Sequence, residues 1–263
     1  MYANLELKKD LKELSGMADI KSIGKTVLKN DIMLIKTGNG PEKVLIISGH
    51  HALETITSKF LMEYLKNTNL DSKNVTLYVI PLLNVDGAEF HMKRIKNDRF
   101  KGKEGVWQAN YRGIDLNHNY NAGFYIAKAA VTAEGINSPS HTKYGGLYPF
   151  SEPETRAVKH LCDKEKFSLA IALHTQGEEI YFGYDNICPE NTFFYLDKFE
   201  SASGYTASAP TGTASHSGFK DWFIKKYKKP AFTIEAGLGK NPLGFENYDN
   251  IYQKCGAIID SLF

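Results

Sequence analysis

The chain has 263 residues, of which 42% are hydrophobic and 12% aromatic, so it is long enough to bury a large core as one domain. Lysine plus arginine outnumber aspartate plus glutamate by 32 to 30, which gives a formal charge of only +2. So small an excess excludes the broad cationic surface that nucleic-acid binding needs. We therefore expect one globular domain over residues 1–263 and no nucleic acid among its partners.

The patterns in the sequence alternate between strand and helix, without repeats or a low-complexity linker, and this alternation predicts one α/β domain. In chain order, they predict a helix over residues 5–14, strands over 20–27, 32–35 and 44–48, a helix over 57–67, a strand over 75–80, a helix over 152–163, a strand over 169–173, helices over 193–204 and 219–226, a strand over 231–234 and a helix over 251–262. The aromatic run Phe193-Phe194-Tyr195 is predicted to pack in the core, because it lies at helical spacing with Leu196 and Phe199.

The N-terminus and the cysteines indicate in which cellular compartment the protein is expected. Residues 1–17 alternate charged with apolar side chains and lack the uninterrupted apolar run of a signal peptide or membrane span. The three cysteines, Cys162, Cys188 and Cys255, form no Cys-x-x-Cys pair, which suits a reducing compartment better than a disulfide framework. We expect a cytoplasmic protein without a membrane partner, although a longer precursor with an export signal is compatible with this sequence. The oligomeric state is left open.

Three of the predicted strands run into a residue that can bind a metal ion or move a proton. Strand 44–48 leads to His51 and Glu54, strand 169–173 to His174, and strand 231–234 to Glu235. Each alone has a common structural explanation, such as a hydrogen-bonded loop histidine or a carboxylate at a helix start. In open α/β sheets, however, the carboxyl ends of strands gather along one crevice where ligands bind. The coincidence of three such ends predicts one functional site.

His51, Glu54 and His174 are two imidazoles and a carboxylate, a set that can hold Zn²⁺ and leave its fourth position open. Zinc in an open site acidifies water and polarises a carbonyl, which makes amide hydrolysis feasible without a covalent nucleophile. Glu235 is the candidate general base. No serine lies in a G-x-S-x-G elbow and no Cys-His pairing is indicated. These residues predict an amide hydrolase with one Zn²⁺ per chain.

Five segments resemble the zinc carboxypeptidase family in order and spacing, and together they span nearly the entire chain. They are SGHHALE at 48–54, WQANYRGIDLNHNY at 107–120, PFSEPET at 149–155, LHTQ at 173–176 and FTIE at 232–235. The resemblance implies a single-domain α/β fold with a mixed, mostly eight-stranded sheet flanked by helices. It also implies that His51, Glu54 and His174 hold zinc, and that Glu235 is the base that activates the attacking water. His50 cannot replace His51, because the residue three positions after it is Leu53.

The resemblance also assigns roles to residues around the Asp-Leu-Asn stretch. Arg112 corresponds to the family arginine that polarises the scissile carbonyl and stabilises the oxyanion, with Arg99 as a rival for this catalytic role. An Asn-Arg pair grips the C-terminal carboxylate of the substrate in the family, whereas this chain has Asn117-His118. Histidine lacks the planar fork of arginine. Asn117 and His118 are therefore predicted to bind substrate, but not with the grip of a strict carboxypeptidase.

Two further segments, residues 174–181 and 218–223, resemble the bacterial γ-D-glutamyl-diamino acid peptidases. These enzymes cut cell-wall stem peptides between D-glutamate and the diamino acid, so the resemblance implies a muropeptide substrate. Lys220 lies where the family sets side-chain specificity, and its ammonium would favour a carboxylate such as that on the side chain of diaminopimelate. The alternative is that Lys220 is a solvated helix residue. The family's substrate-binding tyrosine has no counterpart in residues 211–216.

The sequence thus favours a zinc metallopeptidase that cuts the γ-D-glutamyl–diamino acid bond of peptidoglycan stem peptides. One alternative is a metallocarboxypeptidase that releases C-terminal residues from ordinary peptides, with protonated His118, Arg99 or another cation in place of the clamp. A deacylase of a related branch is a second alternative, although that branch usually lacks the PFSEPET stretch. A third is an inactive binding module, although the three ligands and the base are all present. Whether the diamino acid is diaminopimelate or lysine, and whether cleavage is internal or terminal, stay open.

Overall fold

The computed structural model describes residues 2–68, 74–100, 106–210 and 215–263. Within these ranges the helices are α1 (Asn4–Glu13), α2 (Thr55–Asn67), α3 (Val85–His91), α4 (Phe124–Ala133), α5 (Pro153–Glu165), α6 (Thr192–Ser203), α7 (Phe219–Tyr227) and α8 (Tyr248–Asp260). The strands are β1 (Asp19–Lys25), β2 (Asp31–Gly38), β3 (Glu42–Ser48), β4 (Val75–Ile80), β5 (Leu169–His174), β6 (Glu179–Phe182), β7 (Thr206–Ser208) and β8 (Ala231–Glu235). They form one sheet in the order β1-β2-β4-β3-β5-β8-β6-β7.

The centre of the sheet is parallel. The four consecutive strands β4, β3, β5 and β8 are parallel to one another. On one side of them, β2 pairs antiparallel with both β4 and β1. On the other side, β6 pairs antiparallel with β8. β4 and β5 are buried along their whole length, as expected for parallel strands covered on both faces. The carboxyl ends of β3, β5 and β8 therefore lie side by side at one edge of the sheet.

Two buried clusters cover the two faces of the sheet. Ile46 and Ile171 belong to the cluster that includes residues of α2, α6 and α8, and Ile47 and Ala172 to the cluster that includes residues of α5 and α7. Successive residues of a strand point to opposite faces, so the apolar runs of β3 and β5 feed both clusters. This double cover holds the strand ends in fixed positions.

The predicted fold class is confirmed: the protein is a single-domain α/β fold with a mixed eight-stranded sheet flanked by helices. Each helix and strand predicted from the sequence has a counterpart with bounds shifted by a few residues at most, and the strand over 75–80 has the predicted bounds. The structure adds α3, α4, β6 and β7. No helix in the described ranges combines the length and apolar character that crossing a membrane requires. The three cysteines are free, with Cys188 exposed and the other two buried.

The prediction that the Phe193-Phe194-Tyr195 run packs in the core is wrong for two of its members. Phe193 is 61% exposed and Phe194 is 57% exposed, whereas Phe199 on the same helix is fully buried. Consecutive residues point in different directions around a helix, so a run of aromatic residues cannot share one buried face.

Candidate metal centre

Three side chains converge at the carboxyl ends of β3 and β5. His51 and Glu54 lie in the loop between β3 and α2, and His174 is the last residue of β5. Glu54 Oε1 lies 2.8 Å from Nδ1 of His51, and Glu54 Oε2 lies 2.9 Å from Nδ1 of His174. The two Nδ1 atoms are 3.3 Å apart. The structure thus brings together the three residues that were predicted as zinc ligands.

The donor atoms of this group fit a divalent metal ion. One ligand atom from each of the three residues lies within 4.8 Å of the others. Two imidazole nitrogens and a carboxylate oxygen directed at one point form the ligand set of an open zinc site. A cation among these groups would be coordinated by lone pairs of the two imidazole nitrogens and of the carboxylate.

Charge and burial shift the pKa values of this group in opposite directions. Burial acts to raise the pKa of Glu54, but the imidazoles of His51 and His174 outweigh it and hold that pKa at about 2. Burial acts to lower the pKa of His51, and here the carboxylates of Glu54 and Asp115 outweigh it, so the pKa is raised well above its ordinary value. Both shifts show that the carboxylates favour positive charge at this position.

Asp115 contacts the second ring nitrogen of the candidate ligand His51. Its Oδ1 lies 3.3 Å from Nε2 of His51. The same carboxylate accepts hydrogen bonds from the backbone N–H groups of Asn117 at 3.1 Å and Lys143 at 2.9 Å. A carboxylate on the second ring nitrogen fixes the tautomer that leaves Nδ1 free for a metal ion. The adjacent His50 instead places its Nε2 3.0 Å from the hydroxyl of Tyr120.

Asn241 donates a hydrogen bond to the candidate ligand Glu54. Its Nδ2 donates to Glu54 Oε1 at 3.4 Å and to the carbonyl of Thr175 at 2.7 Å, while its Oδ1 accepts from the Thr175 hydroxyl at 2.6 Å. Asn241 therefore ties the carboxylate to the segment that follows His174. Such outer contacts orient metal ligands.

Replacing Asn241 by alanine is expected to weaken zinc binding about 10- to 100-fold, the range found when outer partners of metal ligands are lost. Competition with a chromophoric chelator measures the affinity directly. Asn247→Ala is the matched control, because Asn247 precedes α8 and its side chain makes no capping hydrogen bond there. Equal zinc affinity in Asn241→Ala and the wild type would show that Glu54 needs no such support.

A cavity of about 210 Å³ opens beside the ligand residues. The cavity is lined by the candidate ligand His51 and the predicted base Glu235. It is also lined by the predicted substrate-binding residues, which are Asn117, His118 and Lys220. Gln108, Thr142, Tyr181 and His216 complete this part of the wall. All the residues predicted to bind substrate therefore share one cavity with the candidate metal centre. Residues 211–214, part of the segment without the family's tyrosine, lie outside the described residues.

Glu235 is the last residue of β8 and pairs in register with His174. Desolvation and the negative charge of Glu54 raise the pKa of Glu235 to about 8. A bound dication would oppose this rise, because nearby positive charge favours the carboxylate form. A carboxylate placed beside a metal centre and easily protonated can accept and return a proton.

The two arginines considered for the oxyanion lie elsewhere. Arg112 and Arg99 line a separate cavity, and Nη1 of Arg112 lies 3.6 Å from Oε2 of Glu152. The Arg112 side chain is 53% exposed. Within the described ranges, no arginine lines the cavity beside the metal ligands. The structure does not bring Arg112 or Arg99 to the candidate centre.

Lys220 is buried, whereas His118 is half-buried. Lys220 is 5% exposed, and its Nζ donates to the carbonyl of Gly183 at 2.6 Å and to Oδ1 of Asp221 at 2.5 Å. The alternative of a solvated lysine is therefore wrong. Burial lowers the pKa of His118, although the charge of Asp115 opposes this. His118 is thus held in its neutral form, which grips a carboxylate weakly.

Asp115, Asn241 and Gln108 are site residues that the sequence motifs did not single out. Asp115 belongs to the Asp-Leu-Asn stretch, and a carboxylate is the usual partner for the second nitrogen of a ligand histidine, so a signal for it existed. Gln108 also lies in the segment 107–120, but the residues that it contacts are distant in sequence. Asn241 belongs to no motif, and only the fold brings it to Glu54.

A His-Glu-His group with a further carboxylate, placed at the ends of parallel strands, is typical of zinc-dependent hydrolases. The chain belongs to the zinc carboxypeptidase family, whose profile matches residues 6–260. The members of this family are zinc metallopeptidases that use one zinc ion, and this chain is a zinc metallopeptidase of that family.

Individual relatives agree with this assignment. The chain is 32% identical over 267 residues to "Gamma-D-glutamyl-L-diamino acid endopeptidase 1" of Lysinibacillus sphaericus, covering 90% of this chain and 65% of that protein. It therefore spans just under two thirds of that relative. Among solved structures, thrombin activatable fibrinolysis inhibitor matches with a TM-score of 0.78 at 19% identity, covering 99% of this chain and 76% of the other. Murein-tripeptide amidase MpaA from Escherichia coli O157 matches with a TM-score of 0.62 at 17% identity, covering 91% and 90%. These two structures share the fold.

Proposed function

We propose that the protein hydrolyses the γ-D-glutamyl–diamino acid bond of peptidoglycan stem peptides, with zinc held by His51, Glu54 and His174 and with Glu235 as general base. The observation that carries the chemistry is the convergence of these four residues at the adjacent ends of β3, β5 and β8. The substrate is supported by the identity with the Lysinibacillus sphaericus endopeptidase over 90% of this chain.

Glu235 performs the proton transfers in this proposal. Zinc, when bound, supplies an acidified water and a polarised carbonyl. Glu235 accepts a proton from the attacking water and passes it to the departing amine as the C–N bond breaks. The products are a γ-carboxylate on D-glutamate and a free amino group on the diamino acid.

The walls of the cavity support a substrate with an anionic side chain. Lys220 has two of its three hydrogens bound to Gly183 and Asp221, so one remains for a ligand. Asn117 accepts the N–H of Phe219 through Oδ1 at 3.0 Å, which leaves its amide hydrogens for substrate. We assign Lys220 to the side-chain carboxylate of diaminopimelate, and Asn117 and His118 to orienting the peptide.

The second candidate is the release of C-terminal residues from ordinary peptides. Its support is membership of the zinc carboxypeptidase family. The neutral state of His118 stands against it, because a C-terminal carboxylate is best held by a charged, bidentate group. Arg99 does not supply that group either, since it lines the other cavity.

Mass spectrometry of defined peptides tests the proposal. We expect cleavage of L-alanyl-γ-D-glutamyl-diaminopimelate and of its amidated form at similar rates, and slow or no cleavage of α-linked L-peptides of the same length. Cleavage of only the α-linked peptides, abolished by C-terminal amidation, would establish the carboxypeptidase instead. The amidated and free peptides form a matched pair that differs in one carboxylate.

Lys220→Met is expected to lower kcat/KM for the diaminopimelate peptide about 10- to 100-fold, because one hydrogen bond to a charged group contributes about 1.5–3 kcal/mol. The matching lysine-containing peptide lacks the side-chain carboxylate and should change much less. The ratio between the two peptides therefore separates specificity from general damage. Lys225→Met, at an exposed position of α7, is the control. An unchanged ratio in Lys220→Met would remove Lys220 from substrate recognition.

A further inference from the structure

Gln108 lies directly against the loop that carries the ligand His51. Its backbone carbonyl accepts a hydrogen bond from the N–H of Ala52 at 2.9 Å, and its N–H donates to the carbonyl of His141 at 2.9 Å. Nδ2 of Asn84 donates to the same Gln108 carbonyl at 3.3 Å. Three segments of the chain therefore fix the Gln108 backbone beside the metal ligands.

The side chain of Gln108 is oriented as well. The hydroxyl of Thr142 donates to Oε1 of Gln108, so the carbonyl end of the amide is occupied. Within the described residues, Nε2 of Gln108 has no hydrogen-bond partner. Among those residues, the buried side-chain nitrogen and oxygen atoms without a partner are Nδ1 of His50 and Nε2 of His174, so Nε2 of Gln108 is not buried. Gln108 lines the cavity that also contains His51 and Glu235. Its two N–H donors are therefore available to a molecule in that cavity.

Hydrolysis of an amide is accelerated by such a donor. Attack on the carbonyl carbon moves negative charge onto the carbonyl oxygen, and a fixed N–H group aimed at that oxygen stabilises the transition state. Arg112 and Arg99 line the other cavity. Two lysines line the cavity beside His51, and each is already paired with a carboxylate. Lys143 contacts Glu134 at 2.6 Å, and Lys220 contacts Asp221 at 2.5 Å.

We infer that the carboxamide of Gln108 donates a hydrogen bond to the oxygen of the scissile carbonyl as negative charge develops on it. The inference rests on the amide hydrolysis proposed above. The donor is neutral, and its direction is set by the Thr142 hydroxyl and not by an ion pair. Gln108 is then a catalytic residue, Thr142 is a positioning residue, and Arg112 takes no part in the chemical step.

Steady-state kinetics of four variants tests this assignment. Gln108→Leu is expected to lower kcat about 10²- to 10³-fold, the loss typical of one oxyanion donor, with KM and zinc content little changed. Gln108→Glu, of nearly the same shape, should lose at least as much because an acceptor replaces the donor. Thr142→Val should lower kcat less and leave KM unchanged, since the amide stays present but is free to turn. Arg112→Ala should stay within about twofold of the wild type.

A binding measurement gives a readout that does not depend on turnover. A phosphinic pseudopeptide, in which a tetrahedral phosphorus replaces the scissile carbonyl, carries an oxygen at the position of the oxyanion. Calorimetry should show that Gln108→Leu binds it about 10²- to 10³-fold more weakly, while the affinity for the cleaved product changes less than threefold.

Either of two results would overturn the role of Gln108: a Gln108→Leu enzyme with kcat and phosphinate affinity within threefold of the wild type, or an Arg112→Ala enzyme with the large loss expected of Gln108. The kinetic comparison uses whichever peptide the wild type cuts, so a wrong muropeptide assignment does not affect it. A wild type that cuts no amide at all would refute the proposed function itself. In that case, the phosphinate affinity of Gln108→Leu would still test whether Gln108 contacts the oxyanion position.

Discussion

Replacing His174 by alanine is expected to remove zinc from the protein and to abolish hydrolysis. His174 is one of the three candidate ligands, and its Nδ1 lies 2.9 Å from Glu54 Oε2 and 3.3 Å from His51 Nδ1. Without it, one imidazole and one carboxylate remain, and a catalytic zinc site rests on three protein ligands. Metal analysis after desalting should find about one zinc per wild-type chain and little in the variant.

Thermal unfolding provides a second measure of the same loss. Zinc at a thousand times its dissociation constant stabilises the folded state by about 4 kcal/mol. For a domain of this size, that corresponds to a rise of roughly 8–16 °C in the melting temperature of metal-depleted wild type. His174→Ala should show no such rise, because it no longer binds zinc tightly.

Two further variants separate the loss of a ligand from damage to the fold. His174→Asp supplies an oxygen ligand at the same strand end and should recover part of the zinc. His160→Ala changes an exposed histidine of α5 and should keep full zinc and activity. If His174→Ala retained one zinc per chain, His174 would not be a ligand. If it lost zinc and His174→Asp recovered none, the loss would be structural.

The proximity of the candidate ligands could be predicted because it depends on the most regular part of the fold. β3, β5 and β8 are short apolar runs, and parallel pairing aligns their carboxyl ends. His174 and Glu235 end two neighbouring strands and stand in register with each other. Their proximity therefore follows from the strand assignments and the order of the strands.

The direction of Arg112 could not be predicted in the same way, because it depends on contacts between distant segments. Asn110 Oδ1 accepts the N–H groups of Arg112 at 2.9 Å and Ile114 at 3.1 Å, which forms a tight turn. Nδ2 of Asn110 donates to buried Glu152 at 2.8 Å and anchors that turn to the segment before α5. Arg112 is then directed to Glu152. Sequence spacing contains no trace of this anchor.

The two short strands β6 and β7 and the apolar helix α4 escaped prediction for a different reason. β6 and β7 have four and three residues, too few to show an alternating pattern. In α4, Tyr125 and Ile126 are 67% and 61% exposed, so its apolar residues do not mark one buried face. β6 nevertheless matters to the site, because it carries Tyr181 into the cavity beside Glu235.

The same replacement at two neighbouring carboxylates is expected to abolish most of the turnover at Glu235 and to leave most of it at Glu179. Glu235→Gln should lower kcat about 10²- to 10⁴-fold, the contribution of a general base, because the amide cannot accept the proton of the attacking water. Zinc should stay bound, since Glu235 is not part of the three-residue ligand group. Metal analysis and steady-state kinetics on the same preparation check both statements.

Glu179→Gln is the matched control for Glu235→Gln. Glu179 lies opposite Glu235 in the antiparallel pair of β6 and β8, and its Oε2 accepts the hydroxyl of Tyr181 at 2.8 Å. A glutamine oxygen can accept that same hydrogen bond, so Glu179→Gln should keep most of the activity. Glu235→Gln retaining more than about a tenth of wild-type turnover would refute the base, because general-base catalysis contributes at least about 10²-fold. Loss of zinc from Glu235→Gln would instead place Glu235 among the ligands, and then the proton would have to leave through another group in the cavity.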